Sequence, residues 1–346
     1  IDSGICLLKQ VSSMYGFGLQ FERYPWGCDY YFKHGEMMPD TALNELLKAD
    51  AIYFGACGDP RLQDNVTLGG LILPIRQSFQ QFANVRPTYL FEGVTSPLSG
   101  KGSGSIDCVV VRENTEGEYS QAGGRIHRGL DGEVAIQTSI FTASGVERII
   151  RFAFELAVQR DRKKKVTSIT KSNAQGFGLV LWDEIFEKVG EEFTEVETES
   201  LLVDAACMDL IRRPEEFDVL VASNLFGDIV SEITAGITGS LGLAPSANID
   251  PTREHPSMFE PVHGSAPDIV GKGIANPVAT FLAGEMMLEF LGESESARCI
   301  HQAVAGHLKG VNKTADLGGT ATTQEVTEQV IGLLESFQES SGAPIG

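Results

Sequence analysis

Short apolar runs alternate along this chain with longer stretches whose apolar residues recur every three or four positions. That alternation is the signature of α/β construction. The short runs Ala51–Ala56, Ile106–Val111, Val166–Thr170, Ser200–Val203 and Asp218–Ala222 are expected to be buried strands. Behind Ser144 and Glu147, which have capping-box spacing, Val146, Ile149, Ile150, Ala153 and Ala157 fall on one helical face. Phe177–Phe193, Pro277–Leu291 and Thr323–Phe337 are expected to be helices of similar character. The apolar stripes are read as core packing. Two Gly-rich stretches, Ser96–Ser105 and Gly236–Pro256, are candidate linkers. They divide the chain into an outer part made of both ends and a middle insertion, hence two lobes with a cleft between them.

Composition narrows the function. Over 346 residues, 42% hydrophobic and 21% charged content supports a folded chain with its own core rather than a disordered one. Lys and Arg number 27 against 47 Asp and Glu, a net charge of −20. So negative a surface argues against nucleic acid or an anionic membrane as partner, but one local basic cluster can still hold a small anion. The six cysteines are scattered without a CxxC pair, which points to reduced thiols and a cytoplasmic location. No apolar run approaches the ~20 residues of a membrane span.

The chemistry collects where strands are expected to end. Ile106–Val111 runs into Arg112 and on to Glu118-Tyr119; Val166–Thr170 runs into Lys171-Ser172-Asn173; Ser200–Val203 ends at Asp204; Asp218–Ala222 leads to Asp228. In parallel α/β sheets the carboxyl ends of strands are where ligands bind. Asp228 and Glu232, four apart on a helix, point the same way; they suit Mg²⁺ or Mn²⁺, or else form a solvated acidic face. Arg76, Arg86 and Arg112 offer planar forks for carboxylates, or surface ion pairs. Lys171 is either a strand-end base or an ordinary exposed lysine. His263-Gly264-Ser265-Ala266-Pro267-Asp268 is a small-residue turn able to cradle a phosphate or adenosine through backbone N–H groups. There is no GxGxxG fingerprint and no Walker motif.

Together these segments resemble the β-decarboxylating dehydrogenases, the family of isopropylmalate, isocitrate and tartrate/D-malate dehydrogenases. The resemblance rests on RENTEGEYS (112–120), TKSN (170–173), SNLFGDI (223–229), APSAN (244–248), FEPVHGSAPDI (259–269) and IANP (274–277), in the expected order, and its details are most like the tartrate and D-malate branch. It implies a two-lobed α/β fold of the isopropylmalate/isocitrate dehydrogenase type, not a classical Rossmann fold. Residues 1–92 and 242–346 would form the cofactor domain, and 93–241 the inserted, dimerising substrate domain. It implies a homodimer with shared sites: Arg76, Arg86 and Arg112 on the carboxylates of a small dicarboxylate, Asp228 and Glu232 with the partner chain's Asp204 on Mg²⁺ or Mn²⁺, the partner chain's Lys171 as base, and Tyr119 as acid. NAD would lie on His263, Gly264, Ser265, Ala266, Asp268 and Asn276. Asp268 can accept from ribose hydroxyls and repels a 2′-phosphate, so NAD is expected over NADP; a K⁺ requirement is left open.

The expected activity is oxidation and decarboxylation of D-malate or tartrate, with 3-isopropylmalate as the alternative substrate and a non-catalytic paralogue as the alternative class. Three departures from the family pattern stand out. Glu232 occupies a usual Asp position, which moves the carboxylate by roughly 1.5 Å. The opening strand and GDGIG-type loop are lacking. Gly69 stands where tartrate dehydrogenases commonly carry an aromatic, beside Leu68 and Leu71, an alternative apolar seat for an alkyl substituent.

Overall fold

A computed structural model describes residues 1–341. Ten strands form among them: β1 (Ala51–Tyr53), β2 (Ala83–Tyr89), β3 (Asp107–Glu113), β4 (Gly117–Ile126), β5 (Val134–Ile140), β6 (Lys165–Thr170), β7 (Glu197–Leu202), β8 (Val219–Ala222), β9 (Pro245–Ile249) and β10 (Ser257–Pro261). Eight make one mixed sheet in the order β1-β10-β9-β2-β3-β8-β6-β7; β4 and β5 make a separate hairpin. The outer chain segments supply β1, β10, β9 and β2, the middle segment supplies the other four, and antiparallel β2–β3 pairing joins them.

Three of the strands read from apolar runs are buried on both faces, as parallel strands under helices must be, whereas β7, at the sheet edge, is half-exposed rather than buried. β3, β6 and β8 are almost wholly buried and pair in parallel, so their carboxyl ends emerge on one edge. Helices cover the sheet: Ala143–Arg160 and Gly178–Gly190 insert Ile149, Ile150, Phe154, Leu179 and Trp182 into the main core, and Trp182 donates to Ser168 Oγ at 2.9 Å. Val278–Leu291 is apolar on most of its circumference and buried from Val278 to Gly284, with Glu285 and Glu289 on the side that reaches solvent.

Several expectations need correction. The helix expected to be capped by Ser144 is capped by Thr142, whose Oγ1 accepts from the Gly145 N–H at 3.0 Å. The strand expected to end at Asp204 stops at Leu202; Asp204 lies in the first turn of the helix Val203–Arg212. The stretch Gly236–Pro256 is no linker, because it contains β9, which pairs with both β2 and β10. The run Ala51–Ala56 is a strand only as far as Tyr53. No helix among the described residues is long and apolar enough to cross a membrane.

Candidate active site

Three arginines from different elements meet three carboxylates at the carboxyl edge of β3 and β8. Arg112 is the last residue but one of β3, Arg86 lies in β2, and Arg76 sits near the end of a helix spanning 64–78. All three are buried. That helix widens over Leu68–Ile72 into a π turn, where the Leu73 N–H reaches back to Leu68 O. Such turns recur at functional sites. Gly70 packs closely there, since a Cβ would lie 2.7 Å from Met37 Cγ and would force the buried Met37 to shift, whereas a Cβ on Gly69 would meet only Gln121 Nε2, at 3.7 Å.

The arginines are held by specific acceptors. Arg76 Nη2 donates to Glu260 Oε1 at 2.9 Å. Arg86 Nη1 donates to Ser231 Oγ (2.7 Å) and to Asp228 Oδ1 (3.2 Å). Arg112 gives Nε and Nη2 to Asn224 Oδ1, at 3.0 and 2.7 Å, and Nη1 to Asp228 Oδ1. The Nε atoms of Arg76 and Arg86 are buried and unpaired. Burial lowers the Arg112 pKa to about 10 and also pulls Arg86 down; Asp228 opposes both shifts. Buried donors left over among crowded cations are what a site for an anion requires.

Asp228 and Glu232 belong to the helix Asn224–Ile237 and lie one turn apart. Burial alone would raise the Asp228 pKa, but Arg112, Arg86 and the Tyr119 hydroxyl outweigh it and hold the carboxyl below its usual range. Tyr119 Oη donates to Asp228 Oδ2 at 2.8 Å, and its ring lies under the Arg112 guanidinium, 5.2 Å from ring centre to Cζ. Burial and the Asp228 charge raise the Tyr119 pKa, so the phenol keeps its proton across the neutral range. Burial likewise raises Glu232, whose carboxylate has neither an ion pair nor a hydrogen bond. No three acidic or metal-binding side chains among the described residues converge tightly enough to hold an ion. Asp228 and Glu232 therefore offer a divalent cation an incomplete set of oxygen donors within one chain.

Arg76, Arg86, Arg112, Tyr119, Asp228 and Glu232 thus come together. Lys171 and Asp204 pair instead with each other, Nζ to Oδ1 at 2.6 Å, at the ends of β6 and β7. Both are accessible, Asp204 with 66% of its side chain exposed, so Lys171 is not a buried lysine within one chain. The His263–Asp268 turn follows β10, with Asp268 and Gly264 exposed, Ala266 at φ +43°, and Ser265 against Gly58. Asn276 is occupied at both ends of its amide: Oδ1 accepts from the Val278 N–H at 3.0 Å, and Nδ2 donates to Asp316 Oδ2 at 3.0 Å.

Sequence reasoning missed Glu260, Ser231 and Asn224 as partners of the arginines. Asn224 and Glu260 lay inside recognised motifs, but their pairing spans 112 and 184 residues. Gly227 was also missed. A Cβ there would stand 2.6 Å from Arg112 Cβ and Cγ, so the glycine lets the helix pass against the arginine stem. Gly227→Ala is expected to displace Arg112, costing about 1–3 kcal/mol and raising KM for a carboxylate substrate at least ~10-fold. Denaturant melts and steady-state kinetics check this.

Comparison with known proteins agrees with this architecture. The isocitrate/isopropylmalate dehydrogenase profile matches residues 1–330. The crystal structure of isocitrate dehydrogenase from Methylococcus capsulatus superposes with a TM-score of 0.85 at 35% identity, over 96% of each chain. The chain belongs to the isocitrate/isopropylmalate dehydrogenase family, an enzyme family of decarboxylating dehydrogenases. Among its relatives, a probable tartrate dehydrogenase/decarboxylase of Agrobacterium vitis is 52% identical over 331 residues, covering 95% of this chain and 91% of that protein. A decarboxylating D-malate dehydrogenase of Escherichia coli (strain K12) is 48% identical over 339 residues, covering 95% and 93%.

Proposed function

We propose that this protein is an NAD- and divalent-metal-dependent dehydrogenase that oxidises and decarboxylates D-malate or tartrate. The observation that carries this reading is the charge balance of the buried cluster. Three guanidinium groups face Asp228, Glu232 and Glu260. A divalent cation bound at Asp228 and Glu232 leaves two positive charges uncompensated, the charge that a dicarboxylate dianion cancels.

When bound, the nicotinamide ring supplies the hydride acceptor and the metal ion supplies the positive charge that stabilises an enolate after CO₂ loss. The protein groups do the rest. Arg76, Arg86 and Arg112 orient the carboxylates, with Arg86 and Arg112 turning donors from Asp228 toward the substrate. Lys171 of a second chain takes the hydroxyl proton. Tyr119, protonated and already hydrogen-bonded beside the cluster, returns a proton to carbon. NAD rests on His263, Gly264, Ser265, Ala266 and Asp268, with Asn276 fixing the start of the next helix; the exposed Asp268 favours a free ribose over a 2′-phosphate.

The need for a second chain is supported by surface chemistry. The β4–β5 hairpin exposes Ile126, Leu130, Val134, Ile136 and Ile140, and the helix Val203–Arg212 exposes Met208 and Ile211. Apolar residues crowded onto one segment mark an interaction surface. All lie in 93–241, which we assign as the dimerising domain of a homodimer; residues 1–92 and 242–346 form the cofactor domain. Among candidate acids, a polar substituent is favoured over an isopropyl group, because Leu71 is spent in the core beside Ile75 and Phe79, 2% exposed.

NADH production from D-malate, tartrate and 3-isopropylmalate, with Mn²⁺ present, tests the reading. Turnover of D-malate or tartrate at least ~10-fold more efficient than of 3-isopropylmalate is expected, since a misfitted substituent costs 1–3 kcal/mol. A preference for 3-isopropylmalate, or equal use of NADP, contradicts it.

A further inference from the structure

The helix that carries Asp228 and Glu232 has no cap of its own. Its N-cap residue, Ser223, makes no side-chain bond to the first turn. The Ser223 hydroxyl donates instead to Glu118 Oε1, at 2.8 Å, and the Leu225 N–H donates to Glu118 Oε2, at 3.1 Å. A carboxylate from β4 thus occupies the place of the missing cap, where the helix dipole favours negative charge. The two residues before it are pinned to the same helix end. Asn224 Nδ2 donates to Glu116 O at 3.0 Å, and Gly117, at φ +76°, would bring a Cβ to 3.3 Å from Asn224 Cβ.

Tyr119 comes next in the chain. Regular pairing with β5 lapses just here: Gly117 opposes Ile140 and Ala122 opposes Thr138, so four residues of β4 stand against one of β5, and Gln121 takes φ +54°. The β ladder therefore does not set the position of residues 118–121. Ser120 Oγ donates to Thr138 O at 2.6 Å on one side of Tyr119, and on the other Glu118 ties the chain to the helix end; the same helix presents Asp228 to the Tyr119 hydroxyl, 2.8 Å away.

We propose that Glu118 is a positioning residue of the reaction: by bridging Ser223 and Leu225 it holds the Tyr119 phenol in register with Asp228 and so sets its competence as proton donor. This rests on the role given to Tyr119 above. Glu118 touches no reacting atom. Its loss frees the strand and lets the phenol swing into water, away from Asp228.

Steady-state kinetics of Glu118→Ala, Glu118→Gln, Tyr119→Phe and the double variant E118A/Y119F test this on the acid that the wild-type enzyme turns over. E118A is expected to lower kcat about 10- to 100-fold, within the range for losing a proton donor, while KM stays within about threefold. E118Q, which keeps an acceptor oxygen, recovers kcat to within about fivefold of wild type. E118A/Y119F is no more than about twofold slower than Y119F, since residues acting through one another are not additive. A loss confined to KM, no recovery in E118Q, or full additivity with Y119F overturns the proposal. Should E118A fail to fold, E118Q in both backgrounds gives the same cycle at smaller amplitude. Solvent-perturbation difference absorbance of Tyr119, as wild type minus Y119F and E118A minus E118A/Y119F, reads the tether without turnover. A more exposed phenol in E118A supports it even if every substrate tried is inert, in which case the functional reading alone fails; an identical exposure overturns it.

Discussion

Asp228→Asn is expected to abolish turnover, lowering kcat by at least ~10³-fold, and to destabilise the fold at the same time. The substitution keeps the shape and removes one charge. That charge is the common acceptor for Arg112, Arg86 and Tyr119 and one of the two carboxylates facing the expected cation. Losing a metal ligand together with a preorganised charge accounts for the kinetic cost. The structural cost is about 3 kcal/mol, the low end for breaking a buried pair, because Asp228 keeps 34% of its side chain exposed. Its pKa is held below the usual carboxylate range. The stabilisation is therefore complete above the unfolded pKa and is lost as pH falls through the lowered folded one. Denaturant melts of the two proteins should differ fully at neutral pH and converge in strong acid.

Lys171→Ala is expected to lower kcat about 10²- to 10⁴-fold, the usual contribution of a general base, while leaving stability nearly unchanged. Lys171 touches only Asp204, and that pair is exposed, where ion pairs contribute little. The combination of a large catalytic loss with an undisturbed melt separates this residue from Asp228. Among the described residues of one chain Lys171 pairs with no member of the arginine cluster, so on the proposed shared site its action falls in another chain's cluster.

How much of this was legible in the sequence depends on which way each residue faces. β3, β6 and β8 were readable because both faces are buried and their residues run apolar without a break. β9 was hidden within a Gly- and Pro-rich stretch because its buried side chains are polar. Ser246 and Asn248 accept from Asn84 Nδ2 at 2.8 and 2.9 Å, bonds that close only when β2 is alongside. β2 escaped for the same reason, since Asn84 and Arg86 interrupt it. The β4–β5 hairpin was not read although Val134, Ile136 and Ile140 alternate with Ala135, Gln137 and Ser139; β5 is exposed along its whole length, so that alternation marks no face buried within this chain. At the site, helical spacing alone put Asp228 and Glu232 on one face, and the motifs identified the family. Which arginine meets which acid could not be read, because Arg76–Glu260 and Arg112–Asp228 join segments 184 and 116 residues apart.

The central claim is that each site is completed by two chains, one giving Asp228 and the other Lys171. In a two-fold symmetric dimer each chain serves both roles. Lys171→Ala and Asp228→Asn, each inactive alone, are unfolded together at equal concentration, refolded, and assayed with Mn²⁺ and NAD⁺. Random pairing makes half the dimers mixed, and each mixed dimer has one intact site, so recovery to about a quarter of wild-type activity is expected. No recovery, with mixed dimers demonstrated by mass spectrometry, would contradict the account.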